Sequence, residues 1–129
     1  MNKTKLPHRI LVVDDLSVMK RLMTQFLNNM GFENVLQADN ARDALLILKT
    51  EKVDLVISDW MMPEVDGLMF LKEIRNDEKL KGLPFLMVTL LDQKENIVKA
   101  AQARVSDYII KPLNAEIFQT KVKKLLGLQ

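Results

Sequence analysis

The sequence contains no cysteine, which excludes a disulfide framework and any thiolate metal site. No apolar run exceeds about six residues, far short of the ~20 that a membrane-spanning helix needs. The opening segment, Met1–Pro7, is polar and carries lysines, so it lacks the apolar stretch of a secretory signal. An excess of either charge is missing as well. Nineteen Lys and Arg against 17 Asp and Glu leave a formal net charge of +2, which is no electrostatic footprint for nucleic acid or an anionic membrane. No low-complexity tract or linker interrupts the 129 residues. These absences predict a cytoplasmic protein of one domain over residues 1–129, with a core over about 9–126 and no output domain.

What is present alternates. Short β-type runs at Ile10–Val13, Asn34–Gln37, Val53–Ser58, Pro84–Val88 and Ser106–Ile110 are each followed by a stretch with apolar residues at helical spacing. Runs such as Ile10–Val13 are apolar at every position, which suits a strand buried on both faces. Ser17, Asn40, Asp66, Asp92 and Asn114 stand where helices would start, and Gly31 where the first would stop. Inner faces are expected to carry Val18, Met19, Leu22, Met23, Phe26, Leu27 and Met30 in the first helix. In the last they carry Ile117, Phe118, Val122, Leu125 and Leu126. Five β-then-α units imply an α/β fold, a doubly wound parallel sheet with helices on both faces. Ligands of such open sheets bind beyond the carboxyl ends of the strands.

Chemistry-bearing residues sit at those ends. The first strand runs into Asp14-Asp15, the third into Asp59, the fourth into Thr89 and the fifth into Lys111-Pro112. Taken singly, each is an ordinary turn or cap residue. In a parallel sheet all of them converge on one edge. Crowded carboxylates repel unless a cation is present, and Mg²⁺ is suited by a few carboxylates plus waters. Three carboxylates, a cation, a Lys and a Thr meet the needs of phosphoryl transfer to an aspartate. Asp59, on a middle strand with Asp14 and Asp15 beside it, is the candidate nucleophile.

These residues resemble the receiver domain of two-component response regulators. The resemblance spans Arg9 to Leu126 and rests on ILVVDD (Ile10–Asp15), SDWMMPEVDG (Ser58–Gly67), LMVT (Leu86–Thr89) and DYIIKP (Asp107–Pro112). KENI (Lys94–Ile97) and Tyr108 make it similar to the stand-alone chemotaxis regulators of the CheY type. The resemblance implies a flavodoxin-like (βα)5 sheet of order 2-1-3-4-5, and a monomer. It also implies that Asp59 takes a phosphoryl group from a histidine kinase of the CheA type. Asp15 and Asp59 would ligate Mg²⁺ directly, Asp14 through water and Met61 through its backbone carbonyl. Lys111 would pair with a phosphoryl oxygen. Thr89 would swing toward the phosphate, with Tyr108 following it inward, and so change a surface that includes Lys121. A flagellar switch protein of the FliM type, or a phosphatase, would read that surface.

Four positions depart from the family pattern. Leu90 stands where a small residue is usual. Leu91 and Met61 flank the expected path of the attacking water and cannot orient it, which implies slow self-hydrolysis and slow labelling by small donors. Arg104 replaces a Gly at the end of the fourth helix, where a left-handed backbone costs a non-glycine residue about 1 kcal/mol. Either that strain is accepted or the helix ends differently.

Other functions fit less well. A Mg²⁺-dependent phosphatase of the aspartyl type needs a second Asp at position 61. A flavin carrier needs a Ser/Thr/Gly-rich loop where Asp14-Asp15 stand. A degenerate receiver, or a phosphate sink that does not bind the motor, remains as the alternative. His8, the single histidine, is expected to serve at a strand edge and not as a phosphodonor. Trp60 is expected over the pocket edge, partly exposed, and most of the methionines as core fillers. Lys121, Lys123 and Lys124 read equally as a solvated face or a partner site.

Overall fold

The computed structural model describes residues 5–128. The ends of the expected 1–129 domain, with the first four residues of the Met1–Pro7 segment, lie outside the described residues. Five strands and five helices alternate: β1 (Leu6–Val13), α1 (Ser17–Met30), β2 (Phe32–Ala38), α2 (Ala41–Thr50), β3 (Leu55–Ser58), α3 (Gly67–Asn76), β4 (Phe85–Thr89), α4 (Lys94–Gln102), β5 (Asp107–Ile110) and α5 (Ala115–Leu125). All four strand pairings are parallel, in the order β2-β1-β3-β4-β5. This is the flavodoxin-like arrangement, with the order expected.

Alternation along the strands builds two cores. Ile10, Val12, Leu55, Ile57, Leu86 and Val88 face Met23 and Leu27 of α1 and Phe118 and Val122 of α5. Leu11, Val13, Val56, Phe85 and Met87 face the other way, onto Ala41, Ala44 and Leu48 of α2, Phe70, Leu71 and Ile74 of α3, and Ala100 of α4. Each fully buried side chain of this size contributes roughly 1.5–3 kcal/mol. Phe70 meets Phe85 edge-on, with ring centroids 5.6 Å apart. Truncating either ring to Ala would therefore cost about 3–5 kcal/mol.

Several boundaries and faces differ from the sequence expectation. β1 begins at Leu6, four residues early, with a register shift against β2 between Leu6 and Arg9. Pro7 is tolerated there because β3 pairs with β1 only from Ile10 onward, so no ladder donor is lost. Ser17 is the first helical residue of α1 and not its cap, and Leu16 at the cap position supplies no side-chain bond. Asp92 does not cap α4; Gln93 occupies that place, also without a side-chain bond. Asn40, Asp66 and Asn114 do cap, accepting from the N–H groups of Asp43, Met69 and Ile117. On α1 the inward stripe runs through Lys20, Met23 and Leu27, leaving Val18 exposed. On α5, Ile117 is half exposed because Phe118 takes the inward position. No helix among the described residues is long and apolar enough to cross a membrane.

Candidate functional site

Asp14, Asp59 and Lys111 each follow the last paired residue of a strand, Thr89 is the last of β4, and the ladder holds them there. Asp59 N–H donates to the Val13 carbonyl (3.0 Å), Asp14 N–H to Ala38 (3.2 Å) and Lys111 N–H to Thr89 (2.8 Å). Since the strands are parallel, these continuations bring Asp14, Asp59, Thr89 and Lys111 to one edge. Asp15, beside Asp14, is exposed. Oxygen atoms of Asp14, Asp15 and Asp59 lie within 4.8 Å of one another.

The centre is dry and acidic. Asp14 and Thr89 have no accessible surface, and Asp59 has 7%. The Lys111 ammonium lies 3.4 Å from Oδ2 of Asp14 and 3.4 Å from Oδ2 of Asp59, so one cation bridges two carboxylates. The other oxygens are held by the backbone: Oδ1 of Asp59 accepts from the N–H groups of Trp60 (2.7 Å) and Met61 (3.4 Å), and Oδ1 of Asp14 from Leu16 (2.9 Å). Burial still pushes the Asp14 carboxyl above its ordinary value, against the lowering effects of the Leu16 N–H and Lys111. Three carboxylates against one ammonium leave uncompensated negative charge in a low-dielectric place. Hard oxygen donors with a charge deficit fit a small divalent cation such as Mg²⁺, and Asp14, Asp15 and Asp59 could hold one.

Around this centre, Thr89 Oγ1 accepts from the Leu91 N–H (3.4 Å). The Tyr108 phenol donates to the Leu91 carbonyl at 2.7 Å, and its ring stands edge-on to Trp60 at 6.5 Å. Burial, with Asp59 and Asp92 nearby, raises the Tyr108 phenol above its usual value. Trp60 is buried, with 7% exposed, and not partly open as expected; with Met62 it belongs to the α2–α3 side of the core. Leu91 also packs against that core. Leu90 (67% exposed) and Met61 (58%) stay at the rim. The Lys111–Pro112 peptide is cis.

Three features escaped the sequence expectation. Gly67, the first residue of α3, lies against the loop after Asp59: a Cβ there would sit 2.2 Å from the Asp59 carbonyl oxygen. Its N–H donates to the Trp60 carbonyl at 2.7 Å. Lys20, buried on α1, pairs with Asp39 at the end of β2. Arg75, buried on α3, donates to the carbonyls of Arg104, Lys81 and Leu83 and to Ser106 Oγ. In the sequence Asp66-Gly67 signalled only the start of a helix, not this close approach; nothing there signalled Lys20 or Arg75.

Arg104 resolves the question of how α4 ends. Its φ is 66°, so the strain is accepted. Arg104 N–H reaches the Ala101 carbonyl (2.9 Å) and Val105 N–H reaches Ala100 (3.0 Å), the pair of bonds that a C-terminal glycine normally closes. Lys121 is ion-paired, its ammonium 2.8 Å from Asp107. His8 sits within β1, partly buried and edge-on to Phe32 at 5.8 Å, and not just before the strand as expected.

Known proteins share this arrangement. The family description "Response regulator receiver domain" fits residues 10–123. The chain is 44% identical to chemotaxis protein CheY-3 of Vibrio cholerae, over 91% of this chain and 90% of that protein. It is 40% identical to chemotaxis protein CheY of Pseudomonas aeruginosa, over 91% and 94%. Among solved structures, CheY4 of Vibrio cholerae superposes with a TM-score of 0.86 at 28% identity, covering 92% of this chain and 98% of that one. A two-component response regulator from Clostridium difficile gives 0.86 at 29% identity, over 93% and 96%. With its sheet order, its acidic edge and these relatives together, the chain belongs to the response-regulator receiver-domain family and is CheY-like.

Proposed function

We propose that Asp59 accepts a phosphoryl group from a phosphohistidine of a histidine kinase in a Mg²⁺-dependent reaction, and that the product is a changed protein-binding surface. The observation that carries this is the single Lys111 ammonium bridging the buried carboxylates of Asp14 and Asp59. Asp14, Asp15, Asp59 and the Met61 carbonyl would hold Mg²⁺, which when bound offsets negative charge on the carboxylates and on the transferring group.

The chain's own groups do the rest. The Trp60 N–H on Oδ1 fixes the Asp59 carboxylate in rotation. A carboxylate oxygen attacks phosphorus as the P–N bond breaks, and the imidazole nitrogen leaves with the bonding pair. Lys111 then shifts its contact from Oδ2 to a phosphoryl oxygen. The Thr89 hydroxyl turns from the Leu91 N–H toward the phosphate, and Tyr108 follows. Burial of the centre keeps water from competing. Hydrolysis of the acyl phosphate resets the switch, and with no group at Met61 or Leu91 to orient water it is slow. Phosphorylation and reset are single events, not turnover of an external substrate.

The reading extends to a cytoplasmic, monomeric, stand-alone receiver in a chemotaxis pathway, fed by a CheA-type kinase and read by a flagellar switch protein or a phosphatase. The Lys121–Asp107 pair and the Arg104 ending of α4 favour a second reading, a phosphate sink that does not engage the motor, since a partner carboxylate must first displace Asp107.

Acetyl-phosphate labelling with Mg²⁺ or EDTA separates the possibilities. A switch carries one phosphate per chain with Mg²⁺ only and releases inorganic phosphate no faster than that label decays; release without a retained label, or no label, contradicts the proposal. The bulky Leu90 side chain at the rim narrows the entrance to Asp59, so Leu90→Ala should accelerate labelling by this small donor; an unchanged rate removes that role.

A further inference from the structure

The two ends of α4 are held in very different ways. At the C-terminal end, Ala100 is the one buried residue of the helix, and the two capping N–H bonds of Arg104 and Val105 close the last turn. Arg75 locks that turn to its surroundings. Its Nε donates to the Arg104 carbonyl (2.9 Å), its Nη1 to the carbonyls of Lys81 (3.1 Å) and Leu83 (2.6 Å), and its Nη2 to Ser106 Oγ (3.3 Å). Ser106 Oγ in turn accepts from the Phe85 N–H at 2.9 Å. Arg104 returns a bond from Nη2 to the Arg75 carbonyl (3.4 Å). Arg75 is buried, with 8% of its surface exposed, and every acceptor its guanidinium meets in these bonds is neutral. One side chain thus ties together the end of α3, the α3–β4 loop, the end of α4 and the approach to β5.

The N-terminal end has nothing comparable. Gln93 gives no side-chain cap, and Leu90, Asp92 and Gln93 are exposed. Ile97 and Val98 are also partly open to solvent, at 37% and 42%. The connecting loop is held by the packing of Leu91, the Leu91 N–H on Thr89 Oγ1 and the Tyr108 hydroxyl on the Leu91 carbonyl. Both side chains in those bonds belong to the residues expected to move on phosphorylation.

We propose that the Arg75–Arg104 clamp is a fixed pivot about which α4 swings, released at its N-terminal end when Thr89 and Tyr108 leave Leu91. This rests on the switch reading given above for Thr89 and Tyr108. It assigns Arg75 a positioning role: it sets which end of the helix responds. Arg104 is then the residue that joins pivot and helix, and its left-handed backbone turns its carbonyl to the guanidinium.

Hydrogen exchange on the whole chain, without ligand, decides it. Tyr108→Phe removes one tether and leaves the ring in place. Protection of the Asn96 and Ile97 amides, which bond to the Gln93 carbonyl, should fall about fivefold, the effect of one hydrogen bond. Protection at Arg104 and Val105 should not change. Arg75→Lys should do the reverse, lowering protection at Arg104 and Val105 first. A uniform fall along α4, no fall at Asn96 and Ile97, or a fall in Tyr108→Phe centred on Arg104 and Val105 would overturn the pivot. Beryllofluoride with Mg²⁺, followed by Trp60 fluorescence, tests the phosphoacceptor reading separately, because its failure would leave the ligand-free exchange result standing.

Discussion

Replacing Gly67 with Ala perturbs the site through backbone alone. The new Cβ would lie 2.2 Å from the Asp59 carbonyl oxygen, 2.7 Å from Trp60 Cα and 3.0 Å from the Asp59 carbonyl carbon, where ordinary contact begins at 3.4 Å. No rotamer relieves these contacts, so α3 and the loop after β3 must part by about 1 Å. Overpacking of this kind costs about 1–3 kcal/mol, with the upper part of the range apt for backbone on both sides. Alanine's better helix propensity returns at most ~1 kcal/mol, so the net loss is about 2 kcal/mol, a fall in Tm of roughly 6–10 °C. The displaced loop carries Asp59 and the Trp60 N–H, and a shift of that size costs about 100-fold in a positioned reaction. Urea melts and acetyl-phosphate labelling read the two effects. Gly82→Ala is the control, since nothing lies within 4 Å of its Cβ position; it should be neutral or gain ~0.5 kcal/mol. A Gly67→Ala protein within 0.5 kcal/mol of the parent, labelling at the parent rate, would refute the reasoning.

Three further outcomes follow from particular contacts. Arg104→Gly relieves the left-handed strain at φ 66° and should stabilise the chain by about 0.5–1 kcal/mol in urea denaturation, the Arg104–Arg75 bond at 3.4 Å offsetting little. Burial raises the Asp14 carboxyl in the folded chain; its proton is held more tightly there than in the unfolded chain, so stability falls as pH rises from its ordinary 3.8 through the raised folded value. Asp14→Asn should therefore raise Tm at neutral pH in EDTA while shrinking the rise that saturating Mg²⁺ gives, both read by calorimetry. Arg75→Met leaves the Arg104, Lys81 and Leu83 carbonyls without their donor and should cost about 3 kcal/mol in the same urea assay.

How far the chain could be read before folding depended on whether a residue's neighbours are local. Ile10–Val13, and Leu55–Ile57 within the expected Val53–Ser58, are recognisable because a strand buried on both faces is apolar at successive positions. Asn40, Asp66 and Asn114 cap helices through N–H groups three residues away, which spacing alone reveals. The convergence of Asp14, Asp59, Thr89 and Lys111 followed from parallel strands, a global rule with a local signature. What failed was set by tertiary packing. Helical spacing offered Val18 to the interior of α1; Lys20 goes in instead because Asp39 receives its ammonium. Ile117 and Trp60 exchanged expected exposures for the same reason: the position of a neighbouring element decides. Arg75 was invisible because its partners are mostly loop carbonyls, which have no residue-type signal.

Phosphopeptide mapping of the chain after acetyl phosphate and Mg²⁺, before the label is lost, tests the central claim most directly. The account predicts one phosphoryl group, on Asp59, absent in EDTA and absent from Asp59→Asn. Label of equal amount on Asp59→Asn, or on any residue other than Asp59 in the parent, would contradict it.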